Sequence, residues 1–287
     1  MQKKRYSVLT NDDELVPLIS RPRLKRYISD LWQRRHFIFE DAKGKSFSNN
    51  QEMVLGQAWT IINPLLDAAM YGIIFGLLLK TSRGIENYIG YLVIGLIFFG
   101  FLTAAVNGSA SLIQSSRNLI NSFTFPKAAL VLSLLCRQFL DNLTPAMVAL
   151  IFGWAFQWRV GIPWTAALVP LIFIFMHIFA CGLAFFIARI TAFFPDFRAL
   201  LKVFVRAWFY SSGIFFAVEN LTDSKAIQSL LELNPAFQFL RALRGLALYG
   251  ELPSIESAAY LAAVSIFTFI FGLIFFWRAE ARYVTAR

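Results

Sequence analysis

The chain is poor in the residues on which much enzyme chemistry depends. Of 287 residues only 15% are charged, and there are two histidines and two cysteines. A haem electron carrier needs several axial ligands. Two histidines, one of them (His36) in the polar N-terminal part, do not supply them. A membrane-embedded transferase needs an acid or base positioned near the interface, yet His177 stands alone and no carboxylate pair accompanies it. Cys136 and Cys181 fall inside apolar runs and read as small core residues. Gly44-Lys45-Ser46 looks like the end of a phosphate-binding loop, but that motif requires glycine where Phe39 stands, and no strand precedes it. The opening residues, "MQKKRYSVLTNDDELVPLIS", are polar and show no apolar core of a secretory signal.

Apolar surface is abundant. Hydrophobic residues make up 57% of the chain, with 31 phenylalanines and a mean hydropathy of +0.58. Several runs approach the roughly 20 residues that cross a bilayer. The fold class is therefore an all-α polytopic membrane protein with six expected transmembrane helices, near 59–79, 88–113, 128–156, 165–192, 200–218 and 258–277. Residues 1–58 read as a cytoplasmic tail and 59–287 as a single transmembrane domain. The net charge of +10 is no nucleic-acid signal, because 11 of the 27 lysines and arginines precede the first span. With both termini inside, the inner segments carry 20 basic residues and the outer loops six. That asymmetry sets the orientation in the cytoplasmic membrane.

Residues 23–39 follow the helical period. Leu24, Tyr27, Ile28, Leu31, Trp32, Ile38 and Phe39 share one face, and Lys25, Arg26, Asp30 and Arg34 take the other. This pattern predicts an amphipathic helix lying in the membrane interface or packed on another protein domain. The following "EDAKGKSFSNNQE" reads as a polar linker.

"SLLELNPAFQFLRALRGLALYG" (229–250) is too polar for a span. Each arginine near a bilayer centre costs about 2.5–3.5 kcal/mol on insertion scales, and Arg241 and Arg244 lie in it. Thr222, Asp223 or Ser224 offers a cap for one short helix; Asn234 offers a cap for a second, with Pro235 at its first position. Neither helix reaches across the bilayer. The stretch 223–250 predicts a re-entrant hairpin on the outer side, lining a wet path; an amphipathic cap on the outer leaflet is the alternative.

On the inner side, "QSSRNLINSFTFPKA" predicts a short helix capped by Ser115 or Ser116, with Leu119, Ile120 and Phe123 on one face and a break at Phe125-Pro126. It suits docking of a cytoplasmic partner, or simply a loop on the membrane. Arg198 and Lys202, after the turn at Pro195-Asp196, are placed to meet lipid phosphates or to anchor the inner side. Arg137 and Asp141 are four apart on one helix and can neutralise each other.

These elements, in this order, resemble the permease subunit of ATP-binding-cassette exporters of the polysaccharide-export class. The resemblance rests on "LGQAWTIINPLLDAAMYGIIFG" (55–76), "RNLINSFTFPKAAL" (117–130), "FFPDFRALLKVFVRAWFYSSGIFF" (193–216) and "LNPAFQFLRALRGLALYG" (233–250), and covers residues 24–280. The chain departs from the family where Pro195 stands in place of a usual arginine, and where Leu130-Val131 continues a helix that often holds a proline. The resemblance implies a transport subunit that is not itself an enzyme and carries no cofactor. A second copy would pair with it, two separate ATPase chains would bind ATP and Mg, and surrounding partners would be membrane lipids. The implied cargo is a glycopolymer on undecaprenyl pyrophosphate, such as wall teichoic acid, O-antigen or capsular polysaccharide. An exporter of drugs or small lipids is the alternative, with a secondary transporter behind it. By the same resemblance Arg117, Asn118, Leu119, Ile120, Phe123, Phe125 and Pro126 would couple to the ATPase. Trp32, Arg34, Arg35, Arg198, Lys202 and Arg206 would gate lateral access. Phe98, Phe99, Phe101, Arg137, Phe209, Tyr210, Phe215 and Phe216 would line the path, and Asn234, Pro235, Arg241 and Arg244 would shape the outer hairpin.

Overall fold

A computed structural model describes residues 22–48, 58–74, 85, 87–157, 161–216 and 225–285. Every regular element among them is helical. Among the described residues three helices are long and apolar enough to cross a bilayer: α4 (Tyr88–Ser109), the continuous helical stretch Trp164–Phe193 that contains α8 (Val169–Phe193), and α12 (Ile255–Trp277). A fourth, α7 (Ala128–Ala155), has 28 residues but carries Arg137 and Asp141 in its first half. Pro145 sits inside α7, where it removes one main-chain hydrogen bond and invites a bend.

Local rules account for the helix ends. Asn87, at φ 50°, caps α4 by accepting from the Gly90 amide at 3.0 Å, and its Nδ2 donates to the Gly153 carbonyl at 2.8 Å. Ser254 caps α12 by accepting from the Ser257 amide at 3.1 Å. Helices in lipid gain little from the hydrophobic effect between themselves and pack through small residues instead. α8 and α12 do so at Gly182 and Gly272, where an added Cβ on either would lie under 3.0 Å from backbone atoms of the other helix. α4 lies at the centre, against α7, α8 and α3 (Trp59–Tyr71).

Two expectations change. The first concerns residues 40–48 of the expected linker. They belong to α2 (Arg35–Ser48), separated from α1 (Leu24–Gln33) by a turn at Arg34. Contacts distant in sequence hold α2 on α7: Ser133 donates to Asp41, and Ser46 donates to Asp141. The second concerns the fifth expected span, which is α9 (Phe197–Ser211), only 15 residues long. It stops where Gly213 turns left-handed at φ 62°. At about 1.5 Å per residue, α9 is shorter than the hydrocarbon core. The far ends of the expected first and fifth spans, 75–79 and 217–218, and the cap candidates Thr222, Asp223 and Ser224 lie outside the described residues.

The stretch 229–250 contributes to α10 (Lys225–Glu232) and forms α11 (Pro235–Arg244), extended by a π turn to Tyr249. Asn234 caps α11, accepting from the Ala236 amide at 3.0 Å, with Pro235 at the first position as expected.

Candidate functional site

Four helices frame one cleft of about 670 Å³. α3 offers Asn63, Asp67 and Tyr71, spaced by four so that they share a face. α4 adds Phe99, Gly100, Phe101, Thr103 and Asn107, and α7 adds Asp141, Asn142 and Pro145. α9 contributes Lys202, Val205, Arg206, Phe209 and Tyr210. The arrangement of α9 follows from its sequence. Leu201 is buried beside Val106, Ala110 and Ile187, which turns Lys202 and Arg206 toward the cleft. Neither of these two cations forms an ion pair among the described residues.

One end of the cleft is aromatic. Phe209 lies 5.4 Å from Phe99, 5.3 Å from Tyr210 and 6.1 Å from Tyr71. Phe215, fully buried, backs this cluster 5.2 Å from Phe209. Trp208 fixes the end of α9: its indole N–H donates to Asn234 Oδ1 at 2.8 Å, and Asn234 Nδ2 donates to the Ser211 carbonyl at 3.2 Å. The cap of α11 therefore also holds the break after α9.

The path residues divide. Phe99, Phe101, Phe209 and Tyr210 line the cleft. Phe98 faces the core beside Phe101 and Phe173, Phe215 lies behind, and Phe216 packs on the core half-buried. Arg137 does not line the cleft; its Nε donates to Asp141 Oδ2 at 3.3 Å. His177 is a satisfied core imidazole: Nδ1 donates to the Phe173 carbonyl at 2.8 Å, leaving Nε2 to accept from Asn142 Nδ2 at 3.1 Å.

Of the residues expected to gate access, Lys202 and Arg206 reach the cleft, while Arg198 Nε donates to the Ala110 carbonyl at 3.0 Å. Trp32 is 70% exposed, with the Arg35 guanidinium 5.2 Å from its ring. Arg34 donates to the Thr124 carbonyl at 3.2 Å.

The segment expected to couple to an ATPase forms α5 (Leu112–Ser115) and α6 (Arg117–Ser122), with Ser116 between them. Ser116 stands at the N-cap of α6 but makes no side-chain capping bond. Ile120 is buried and Leu119 half-buried, with Arg117 and Asn118 exposed. Phe123 does not share the Ile120 face. It is the extended residue that ends α6, and it is 64% exposed. Phe125 and Pro126 turn inward.

Behind that segment lies a buried joint that local sequence reading missed. Glu280 Oε2 accepts from the Tyr27 hydroxyl at 2.7 Å, and Oε1 accepts from the Lys127 amide at 2.8 Å with the Lys127 ammonium 3.5 Å away. The Tyr27 oxygen in turn accepts from the Ala128 amide at 3.1 Å. One carboxylate thus joins α1, the start of α7 and the turn after α12. Burial pushes the Glu280 carboxyl above its usual value despite these donors, and burial followed by the Glu280 charge raises Tyr27.

The hairpin arginines differ sharply. Arg241 is exposed and pairs with Glu232 at 3.1 Å. Arg244 is 2% exposed and meets no carboxylate among the described residues. It donates to three carbonyls, of Tyr91 (3.0 Å), Gly213 (2.9 Å) and Ile214 (3.3 Å), with its guanidinium carbon 3.4 Å from the Tyr91 ring centre. The only local hint was an arginine in an apolar helix face; its partner positions lie 30 to 153 residues away.

Comparison with known proteins adds the following. Residues 46–248 match the family described as "ABC-2 type transporter". The chain is similar to the "O-antigen export system permease protein RfbA" of Myxococcus xanthus, 23% identical over 91% of this chain and 96% of that one. It is also similar to a protein of the same name from Klebsiella pneumoniae, 26% identical over 80% of this chain and 86% of that one.

Proposed function

We propose a function from one premise: this chain belongs to the ABC-2 type transporter family. It is the membrane permease subunit of an ATP-driven exporter for a lipid-linked cell-surface polysaccharide. The relatives are named for O-antigen export, which favours a polymer of that kind over wall teichoic acid. The observation that carries the reading is the cleft. Flat apolar rings (Tyr71, Phe99, Phe209, Tyr210) suit the faces of sugar rings, and Lys202 and Arg206 suit a phosphate.

In this reading the cytoplasmic membrane holds the helical bundle, with both termini inside and two copies side by side. α7 is about 42 Å long against a core of about 30 Å. Its first turns, where α2 packs, then project into the cytoplasm. α10 and α11 dip back as the outer hairpin, and α1 rests along the inner interface. Exposed Phe123 inserts into a separate ATPase subunit, which binds ATP and Mg. The joint at Glu280 passes movement of that contact to α1.

The test is isolation of the tagged chain from its own cells by gentle extraction, followed by native mass spectrometry. Two copies with two ATPase chains support the reading. A chain with no ATPase, even after crosslinking, overturns it. Phe123→Asp should remove ATPase association and export while leaving membrane insertion intact; normal export by that variant would sink the docking role.

A further inference from the structure

Away from the cleft, α8 and α12 form a seam that no part of the export reading uses. Their backbones touch at Gly182 and Gly272. Close backbones bring aromatic rings from both helices together on the outward side. Phe186 of α8 stacks on Phe271 of α12 at 5.6 Å and lies 5.2 Å from Phe275. Phe271 stacks on Phe267 at 5.7 Å, and these two rings are 51% and 68% exposed. Phe267, Phe271 and Phe275 follow one another at intervals of four, so they run along the helix axis.

This apolar trough ends at cations. The Arg189 guanidinium carbon lies 4.0 Å from the Phe275 ring centre, and its Nη1 donates to the Phe275 carbonyl. Arginine has five N–H donors in a fixed fork; the other Arg189 donors meet no acceptor among the described residues. Arg278 is exposed one residue past α12 and forms no ion pair among the described residues. Arg278 and Arg282 both lie close enough to repel Arg189. Glu280, the acid nearest in sequence, is turned inward to Tyr27 and Lys127. Like charges at the mouth of an apolar trough are relieved by an anion between them.

We propose that the α8–α12 seam is a binding site for an anionic phospholipid. Its phosphate sits between Arg189 and Arg278, and an acyl chain lies along Phe275, Phe271 and Phe267 against Phe186. The order of the two parts, cations at the helix end and rings along the helix, matches the order of headgroup and chain in a leaflet. Basic pockets between spans on the cytoplasmic side are where anionic headgroups are held. No α8 or α12 residue lines the cleft, so the site stands whatever the cargo is.

The experiment uses the full chain in mild detergent, with phosphatidylglycerol or phosphatidylcholine of identical acyl chains, and native mass spectrometry of retained lipid. Phosphatidylglycerol should be held preferentially. A basic residue near a headgroup contributes a factor of about five in affinity. Arg278→Gln should therefore weaken phosphatidylglycerol about fivefold, and with Arg189→Gln about 25-fold, leaving phosphatidylcholine unchanged. Phe271→Ala should weaken both lipids. The Arg278 side chain forms no hydrogen bond or ion pair among the described residues, so its single variant decides the matter if the double variant misfolds. Equal retention of the two lipids by the wild type, or undiminished phosphatidylglycerol binding by Arg278→Gln, overturns the proposal. So does displacement of phosphatidylglycerol by an equimolar polyprenyl phosphate, which would assign the seam to a carrier lipid.

Discussion

Arg244 and Gly95 form a pair whose coupling can be measured. A Cβ at position 95 would lie closer than 3.0 Å to Arg244 Nη2, where ordinary contact begins at 3.4 Å. Gly95→Ala must therefore push the guanidinium back by more than the 0.4 Å difference between those limits. The 3.3 Å bond to the Ile214 carbonyl then passes 3.5 Å and is lost, and the bonds to Tyr91 and Gly213 stretch. A hydrogen bond to a charged donor contributes about 1.5–3 kcal/mol, so Gly95→Ala should cost about 2–3 kcal/mol. Arg244→Ala removes all three bonds but also removes a buried cation, and the Gly213 carbonyl keeps the Tyr91 hydroxyl. Its net cost is about 3 kcal/mol by the same scale. In the double variant the alanine methyl enters space the guanidinium has left, so the second substitution should add almost nothing. Thermal unfolding of the four proteins in one detergent gives the cycle. A coupling of about 2 kcal/mol is expected. Additive losses, within about 0.5 kcal/mol, would refute the claim that Gly95 is small because Arg244 lies against it.

Glu280 should make stability pH-dependent. Its folded carboxyl binds a proton more tightly than the unfolded one, so stability falls as pH rises from the usual value of 4.5 through the raised folded value. Glu280→Gln should flatten that slope in melts across the range, while lowering stability by about 1–3 kcal/mol because one oxygen replaces two acceptors. Gly182→Leu should separate α8 from α12 and remove folded protein from the membrane fraction, since the added atoms would meet the Thr268 backbone. Lys202→Gln with Arg206→Gln should weaken binding of a phosphate-bearing cargo about 25-fold, by a factor of about five for each cation, without moving the melting temperature; an unchanged affinity would remove phosphate recognition from the cleft.

Much of the fold was legible where the governing rule is local. Asn234-Pro235 predicts a capped helix start because cap and proline act within three residues, and α11 begins there. Reading failed where distant contacts decide. Residues 40–48 look like a linker by composition, yet α7 supplies Ser133 and Asp141 to hold them helical. Gly213 sits in "SSGIFF", which reads equally well as a span or a break; the carbonyl positions of Gly213 and Ile214, held by Arg244, fit the break. The cleft was half legible. Phe99 and Phe101 line the cleft, while Phe98 between Ile97 and Phe99 is buried against Phe173 of α8, a contact 75 residues away in sequence. In "FFGF" every position is apolar or small, and periodicity therefore assigns no face. Asn63 and Asp67 gave no signal beyond polarity in an apolar run, because their meaning depends on α9 lying opposite.

The cations in and around the helices sort by what their donors already meet. Arg137 is occupied by Asp141, Lys127 by Glu280, Arg198 by the Ala110 carbonyl and Arg244 by three carbonyls. Each of these joins two elements or closes a helix on itself, and in an apolar medium such a charge must find internal partners to be tolerated. Lys202 and Arg206 differ: they line a cleft, and no carboxylate pairs with them among the described residues. Arg278 differs in the same way at the end of the α8–α12 seam, whereas Arg189, which gives one donor to the Phe275 carbonyl, shares features of both groups. Charge alone does not separate the two groups, since all are basic residues in apolar segments or at their ends. The separation comes from geometry, and it yields a rule that can be tested across the chain. Replacing a cation of the first group should lower the melting temperature. Replacing one of the second should leave it within about a degree while changing what the protein binds. An Arg206→Gln variant that melted as low as Arg244→Ala would show that the cleft cation is a structural one and that the rule does not hold.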